Sequence, residues 1–458
     1  MTLAGAVPRT ARLRAELRAA RRRHREGRAG DLYLALMFVV VYGGLSYRAV
    51  AGLGRLLGHA EPVRWWLAGA VALALAGLGY RGARVFGPLV AGPAEQTWAL
   101  STPVDRGRWL LGPLLVRVVA GALGGAVLGI GFAALAGAHP FAWVAATGAG
   151  LGAALVALAG LLQTRHLRRI HPLEWVPAGA GFAGAAAVLV VHARDVALPV
   201  PAAMPVPVAI AALVLAAALT VAAARGLGRV DRAALASGAQ IADATATATI
   251  FLDPTLLFGV LEARRWRALG RVRRRPFWSG WSRLPGRRWW LLLAAETRRL
   301  ARRPGALAVW AALLVVPYSV AVLAPVFGMP ARLVAAYFAT GRLARGLRLV
   351  HASPALRRAI GGDDRYLHAV HLVVPALGLA LWWLASAGSV PAQPPQALLV
   401  YPLAILFAVY RGATGPPRSY DGGAVDTPFG LIPAALLAQL FRGVDVLAVV
   451  VLVSLFVR

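Results

Sequence analysis

The sequence predicts an all-α polytopic membrane protein of about twelve transmembrane helices, built as two parallel six-helix repeats with both termini cytoplasmic. Three observations predict it: the composition, the placement of arginine, and a layout that occurs twice. Of 458 residues, 59% are hydrophobic and 15% charged, where soluble domains carry about 45–50% apolar and about 25% charged residues. That balance excludes a disordered chain, a collagen and an ordinary cytosolic enzyme. Basic residues number 49 against 18 acidic, a net charge of +31, and with no lysine in the chain every one is Arg. Cysteine is absent, which excludes disulfides, iron–sulfur clusters and thiol nucleophiles. The Ala/Gly/Arg bias fits a high-GC genome and carries no functional signal.

The elements follow in order. Residues 1–30 hold nine Arg ahead of a full-length span, without a small-residue cleavage site, so they read as a basic cytoplasmic or interfacial arm rather than a signal peptide. Leu13 and Leu17 give its helix a thin apolar stripe. A membrane-crossing helix needs about 20 apolar residues. The first repeat, 31–225, offers spans near 32–53, 65–80, 110–137, 140–162, 175–192 and 204–224. A basic cytoplasmic linker, 226–303, separates it from the second repeat, 304–458. The second repeat offers spans near 305–325, 327–341, 367–387, 396–410, 428–441 and 443–457. The span near 327–341 is short and carries Arg332.

Cytoplasmic segments collect basic residues. With twelve spans and both ends inside, 42 of the 49 Arg fall on the cytoplasmic side, 17 of them in the central loop with Arg225 at its edge. Arg55, Arg64, Arg194, Arg332 and Arg442 fall outside, and Arg48 and Arg117 within spans. An error of one span scrambles the alternation downstream.

The repeat also shows in detail. Leu13-Arg14-Ala15-Glu16-Leu17-Arg18 precedes the first span, and Leu293-Ala294-Ala295-Glu296-Thr297-Arg298-Arg299 the seventh. Ser101-Thr102-Pro103-Val104-Asp105-Arg106 lies between spans two and three, and Ser353-Pro354-Ala355-Leu356-Arg357-Arg358, then Asp363-Asp364-Arg365, between spans eight and nine. Six spans per unit make the repeat parallel. Catalytic and metal motifs are missing: a P-loop is impossible without Lys, and His-Glu-x-x-His does not occur. His368 and His371 share a helix face and read as two interfacial histidines rather than a metal site. Arg117, two turns into span three, either snorkels to the headgroups or lines a translocation path. Gly121, Gly124, Gly125 and Gly129 read as close helix packing. In the linker, Arg264 to Arg275 with Trp266, Trp278, Trp281, Trp289 and Trp290 form a basic-aromatic tract that fits anionic membrane lipid better than nucleic acid.

The stretch Trp98 to Gly112, with its Leu-Ser-Thr-Pro-Val-Asp-Arg core, resembles the cytoplasmic turn between spans of ABC-2-type transporter permeases. Glu296-Thr-Arg-Arg-Leu-Ala-Arg-Arg-Pro304 resembles their amphipathic connecting helix. The chain looks like two such units fused, as in the twelve-span, actinobacterial-type permeases. The resemblance covers the layout of most of the chain and distinctive residues at about 40 positions; the second copy departs from the pattern after Pro354. It implies a non-enzymatic permease subunit of an exporter in the bacterial plasma membrane, worked by separate ABC-type ATPase subunits, a dimer that holds the ATP and Mg. It implies ATPase docking by Glu95, Thr102, Asp105, Arg106, Arg357, Arg358, Asp363 and Asp364, and connecting helices carrying Glu16, Glu296, Arg298 and Arg299. The same loops read without the resemblance are solvated positive-inside anchors. The alternatives are a secondary transporter or channel, a membrane scaffold without ATPase partners, or an integral membrane enzyme, for which the outer loops offer few carboxylates. The apolar spans suit a hydrophobic or amphipathic substrate better than an ion.

Overall fold

A computed structural model describes residues 62–92, 95–99, 105–138, 140–165, 172–199, 206–231, 235–236, 238–241, 260, 288–390, 397–415, 424–427, 430–433 and 442–456. The N-terminal arm with Glu16, the span expected at 32–53, Thr102 and most of the basic-aromatic tract lie outside the described residues. The chain divides into two compact units, Met1–Asp243 and Ala244–Arg458. The division falls inside the expected linker, so its last stretch belongs to the second unit.

In the first unit, α1 (Pro62–Phe86), α2 (Arg106–Ala136), α3 (Phe141–Thr164), α4 (Val176–His192) and α5 (Val206–Gly226) coincide with spans two to six. Their packing follows from small residues. A Cβ at Gly121 would lie 2.8 Å from the Gly152 carbonyl, and one at Gly129 2.6 Å from that of Val144. Gly125 and Gly148 each face the other's carbonyl oxygen. Backbones can approach this closely only where side chains are missing, so the glycines of α2 are packing, as expected; Gly124 faces open space and takes no part. The 31 residues of α2 span roughly 46 Å, longer than a hydrocarbon core of about 30 Å. Gly137 ends it at φ 64°, returning its N–H to the Ala133 carbonyl.

In the second unit, α6 (Arg288–Ala301) is amphipathic and precedes α7 (Pro304–Ala312) and α8 (Val315–Leu323). These two form one expected span, interrupted at Leu313 and Leu314, where the Pro317 ring leaves no room for the i−4 carbonyl. Then come α9 (Gly328–Leu343), the short α10 (Arg345–Ala352) and α11 (Pro354–Ile360), α12 (Asp364–Ala385) and α13 (Ala397–Ala413). The strands β1 (Ala424–Thr427) and β2 (Gly430–Pro433) pair antiparallel, and α14 (Val444–Phe456) follows. The core is Leu333, Ala336 and Ala339 of α9 against Leu379, Trp382 and Trp383 of α12, closed by Tyr401, Ile405, Val409 and Leu447.

Among the described residues, six helical stretches are long and apolar enough to cross a membrane: Pro62–Phe86, Arg106–Ala136, Phe141–Thr164, Val206–Arg229, Pro304–Leu323 and Asp364–Ala385. Their outward faces are apolar and open, with Val116 70% and Leu384 72% exposed. Such faces suit lipid rather than water, and the protein is a multi-pass membrane protein.

The expected crossing at 428–441 is not met where the structure describes it. Residues 430–433 are a strand, and Pro428, Gly430 and Pro433 interrupt any helix there. Arg442 Nε donates to the Arg411 carbonyl at 2.9 Å, and Arg411 Nη2 pairs with Asp445 at 2.8 Å. The chain that leaves α13 therefore returns to the same end of the unit before α14 begins. A single crossing would put Arg442 at the opposite end, and the twelve-span alternation fails at this point. Apart from this two-stranded hairpin, the regular elements among the described residues are helices, as an all-α fold requires.

Candidate functional site

A cluster of polar groups of the second unit lies where α6, α10, α11 and the start of α12 meet. On the amphipathic α6, Glu296 points inward and is 4% exposed. Its Oε1 accepts from Arg299 Nη1 at 2.8 Å and lies 3.2 Å from His371 Nε2, on α12. His371 is also 4% exposed, and its Nδ1 lies 2.8 Å from the Leu367 carbonyl. A carbonyl only accepts, so Nδ1 carries a proton. The contact at Nε2 needs a further proton, on the imidazole as an ion pair or on the carboxyl as a neutral pair. The pair thus holds one shared, buried proton. Burial pushes the Glu296 carboxyl above the ordinary carboxylate range, against the opposing pull of Arg299 and His371. Gly346 of α10 completes the site, because a Cβ there would fall on the Glu296 carboxylate.

A second polar chain ties α10 to α12 and α13. His351 Nε2 lies 2.8 Å from the Gly415 carbonyl, which makes Nε2 the donor. His351 Nδ1 then accepts from His368 Nε2 at 3.3 Å, and His368 Nδ1 accepts from the Tyr410 hydroxyl at 3.4 Å. His368 and His371 therefore face different partners. Among the described residues no group of three or more His, Asp or Glu is placed to hold a metal ion.

The sequence-predicted residues separate into anchors and exposed charges. Arg357 pairs with Asp364 at 3.1 Å and donates to the carbonyls of Val350 and His351. Arg288 of α6 donates to the Ile360 carbonyl, tying α6 to the end of α11. Arg358 and Asp363 are exposed, Asp363 at the N-cap position of α12. Arg298 is half-buried on α6. In the first unit, Asp105 caps α2 by accepting from the Arg108 N–H at 3.2 Å and pairs with the Arg108 side chain at 3.2 Å. Arg106 beside it is half-buried. Glu95 accepts from the Gly92 N–H at 3.3 Å and so braces its own turn. Arg117 Nη1 turns back along α2 to the Pro113 carbonyl at 3.4 Å, toward the end that carries Arg106 and Arg108.

Sequence reasoning missed His371 and Gly346 as partners of Glu296. The only signal was the i, i+3 histidine pair; nothing in the sequence marks Gly346.

The fold and site define a multi-pass membrane protein whose second unit pins an amphipathic surface helix to the base of a long apolar helix through a buried carboxylate–imidazole pair. Residues 58–423 match the model of a family of unknown function (DUF6297), and the chain belongs to that family. No curated protein and no solved structure matches the chain.

Proposed function

We propose that the chain is the transmembrane permease subunit of an ABC exporter in a bacterial plasma membrane, moving a hydrophobic or amphipathic substrate with energy from separate ATPase subunits. The observation that carries the reading is the latch that Glu296 forms with His371 and over Gly346. It joins the amphipathic α6 to α10 and to the foot of α12, next to the exposed Arg358, Asp363 and Arg365. A partner that pushes on α11 would move α6 and α12 together. Asp105 and Asp363 supply the matching feature of the two units, each standing at the N-cap of the helix after the charged turn. In this reading both charged turns face the cytoplasm. The second unit then crosses the membrane five times, with α7 and α8 as one crossing and α9, α12, α13 and α14 as the others. Arg442 joins the cytoplasmic arginines and α14 runs outward, in place of a cytoplasmic C-terminus.

The test is a photo-crosslinking residue at Arg358 in native membranes. Capture of a P-loop ATPase there, and none from a lipid-facing control at Leu381, is the expected result. Equal or no capture at both positions refutes docking at α11. A second reading, a proton-coupled carrier without ATPase, draws on the proton shared by Glu296 and His371. It requires substrate movement driven by a pH gradient in vesicles of the chain alone.

A further inference from the structure

At the other end of α12 stands a buried cation that the latch does not use. Arg332 of α9 is fully buried, 0% exposed. Its Nε donates to Ser386 Oγ at 2.9 Å and its Nη2 to the Trp383 carbonyl at 2.6 Å. Its guanidinium carbon lies 3.8 Å from the centre of the Trp383 ring. Its Nη1 is buried without a hydrogen-bond partner, and so is the Trp383 Nε1. No carboxylate among the described residues pairs with it. His371 and Ser386, the residue that caps the end of α12, are 15 positions apart, roughly 22 Å along the helix, so the two sites are separate.

The arrangement is short of acceptors and of negative charge. A guanidinium offers five N–H donors and no acceptor. A ring face, a hydroxyl and a carbonyl stabilise it without neutralising it. A buried charge left uncompensated is costly, and within a membrane protein it marks a ligand or ion path by default. Adding Trp383 Nε1 gives two unmatched donors in one Arg–Trp pair. A group that supplies both the missing acceptors and the missing charge is an oxyanion, and the guanidinium fork suits its geometry.

We infer that Arg332, with Trp383 and Ser386, forms a binding site for an oxyanion, a carboxylate or phosphate group. The assignment concerns binding alone and stands or falls apart from the transport reading. The oxyanion arrives either free in solution or as the head of an amphiphile.

The experiment titrates the purified full chain, in neutral detergent, with inorganic phosphate, with octyl phosphate and with uncharged octyl glucoside, reading the unfolding midpoint and the dissociation constant. The midpoint rises with a phosphate probe and not with octyl glucoside. In Arg332→Gln that binding weakens by about tenfold or more, as for loss of a charged hydrogen-bond partner. The surface variant Arg194→Gln, a control for general attraction to a basic chain, keeps wild-type binding. A response to inorganic phosphate identifies a soluble source; a response to octyl phosphate alone identifies an amphiphile. Equal binding by wild type and Arg332→Gln, or no phosphate binding by wild type, overturns the inference. Should Arg332→Gln fail to fold, a structure of the wild type with octyl phosphate decides it. Density within hydrogen-bond distance of Nη1 supports the site, and its absence overturns it.

Discussion

Removing the Glu296 side chain and filling the space over Gly346 are perturbations of the same contact, and their combination is diagnostic. Glu296→Ala deletes the acceptor of two short contacts, to Arg299 and His371, and leaves His371 buried without its partner. Breaking one side of a buried pair costs about 3–5 kcal/mol. Relief of the buried carboxylate and the freedom of Arg299, 30% exposed, to turn to water place this case near the lower figure. Gly346→Ala puts a methyl group where the carboxylate lies, an overpacking worth about 1–3 kcal/mol. The double variant has no carboxylate for the methyl to strike. It is expected to cost no more than Glu296→Ala alone, a coupling of about 1–3 kcal/mol. Hydrogen exchange of the amides of Arg288–Ala301 reads the opening of α6. A 3 kcal/mol loss accelerates that exchange roughly 100-fold, at about 1.4 kcal/mol per factor of ten. Additive effects to within about 0.5 kcal/mol would mean that the two residues do not share one contact, and the latch would be refuted.

Four further predictions can be checked independently. Burial raises the Glu296 carboxyl, so the folded latch holds its proton more tightly than the unfolded chain does. Its contribution is complete below the ordinary carboxyl pKa of about 4.3 and is lost as pH rises through the raised folded value. The stability of α6 against exchange is therefore expected to fall with rising pH in the wild type and to be flatter in Glu296→Gln; equal slopes would contradict this. Gly125→Val puts a side chain against the Gly148 carbonyl, a backbone group that cannot rotate away. The expected cost is at the upper end of about 1–3 kcal/mol, read as a lowered unfolding midpoint, while Gly124→Val changes little. Arg117→Leu is expected to leave transport unchanged, since Arg117 turns to its own helix; lost transport with normal folding would restore a role in the path. The double reversal Asp105→Arg with Arg106→Glu removes a helix cap, at about 1 kcal/mol, and is expected to abolish ATPase recovery from detergent extracts. Normal recovery would return that turn to a solvated anchor.

The spans were legible because hydrophobic runs and arginine placement are long-range averages that single residues do not disturb. They mark α1 to α5 of the first unit and α7, α8, α9, α12, α13 and α14 of the second, whereas the short α10 and α11 fall in what reads as a loop. At 430–433, the described part of the run expected as a span, apolar content outweighed Pro428, Gly430 and Pro433, the residues that break a helix. Asp445, at the edge of its span, carried the missing information: its partner is Arg411, which fixes where α14 begins. Glu296 was legible as a connecting-helix residue by resemblance, but its burial was not. Its partners stand 50 and 75 positions away, at Gly346 and His371, and a glycine chosen to admit a carboxylate looks like any other glycine. Arg332 was visible as a basic residue in a short span, and its uncompensated burial appears only when Trp383 and Ser386 fold against it.

The most direct test of the permease reading is purification of the native protein in mild detergent, with mass spectrometry of whatever remains bound. The account predicts a stoichiometric soluble subunit bearing a P-loop, lost when Asp105 and Arg106 are reversed. A chain that purifies alone or only with itself, with no ATPase even after gentle crosslinking, would contradict it.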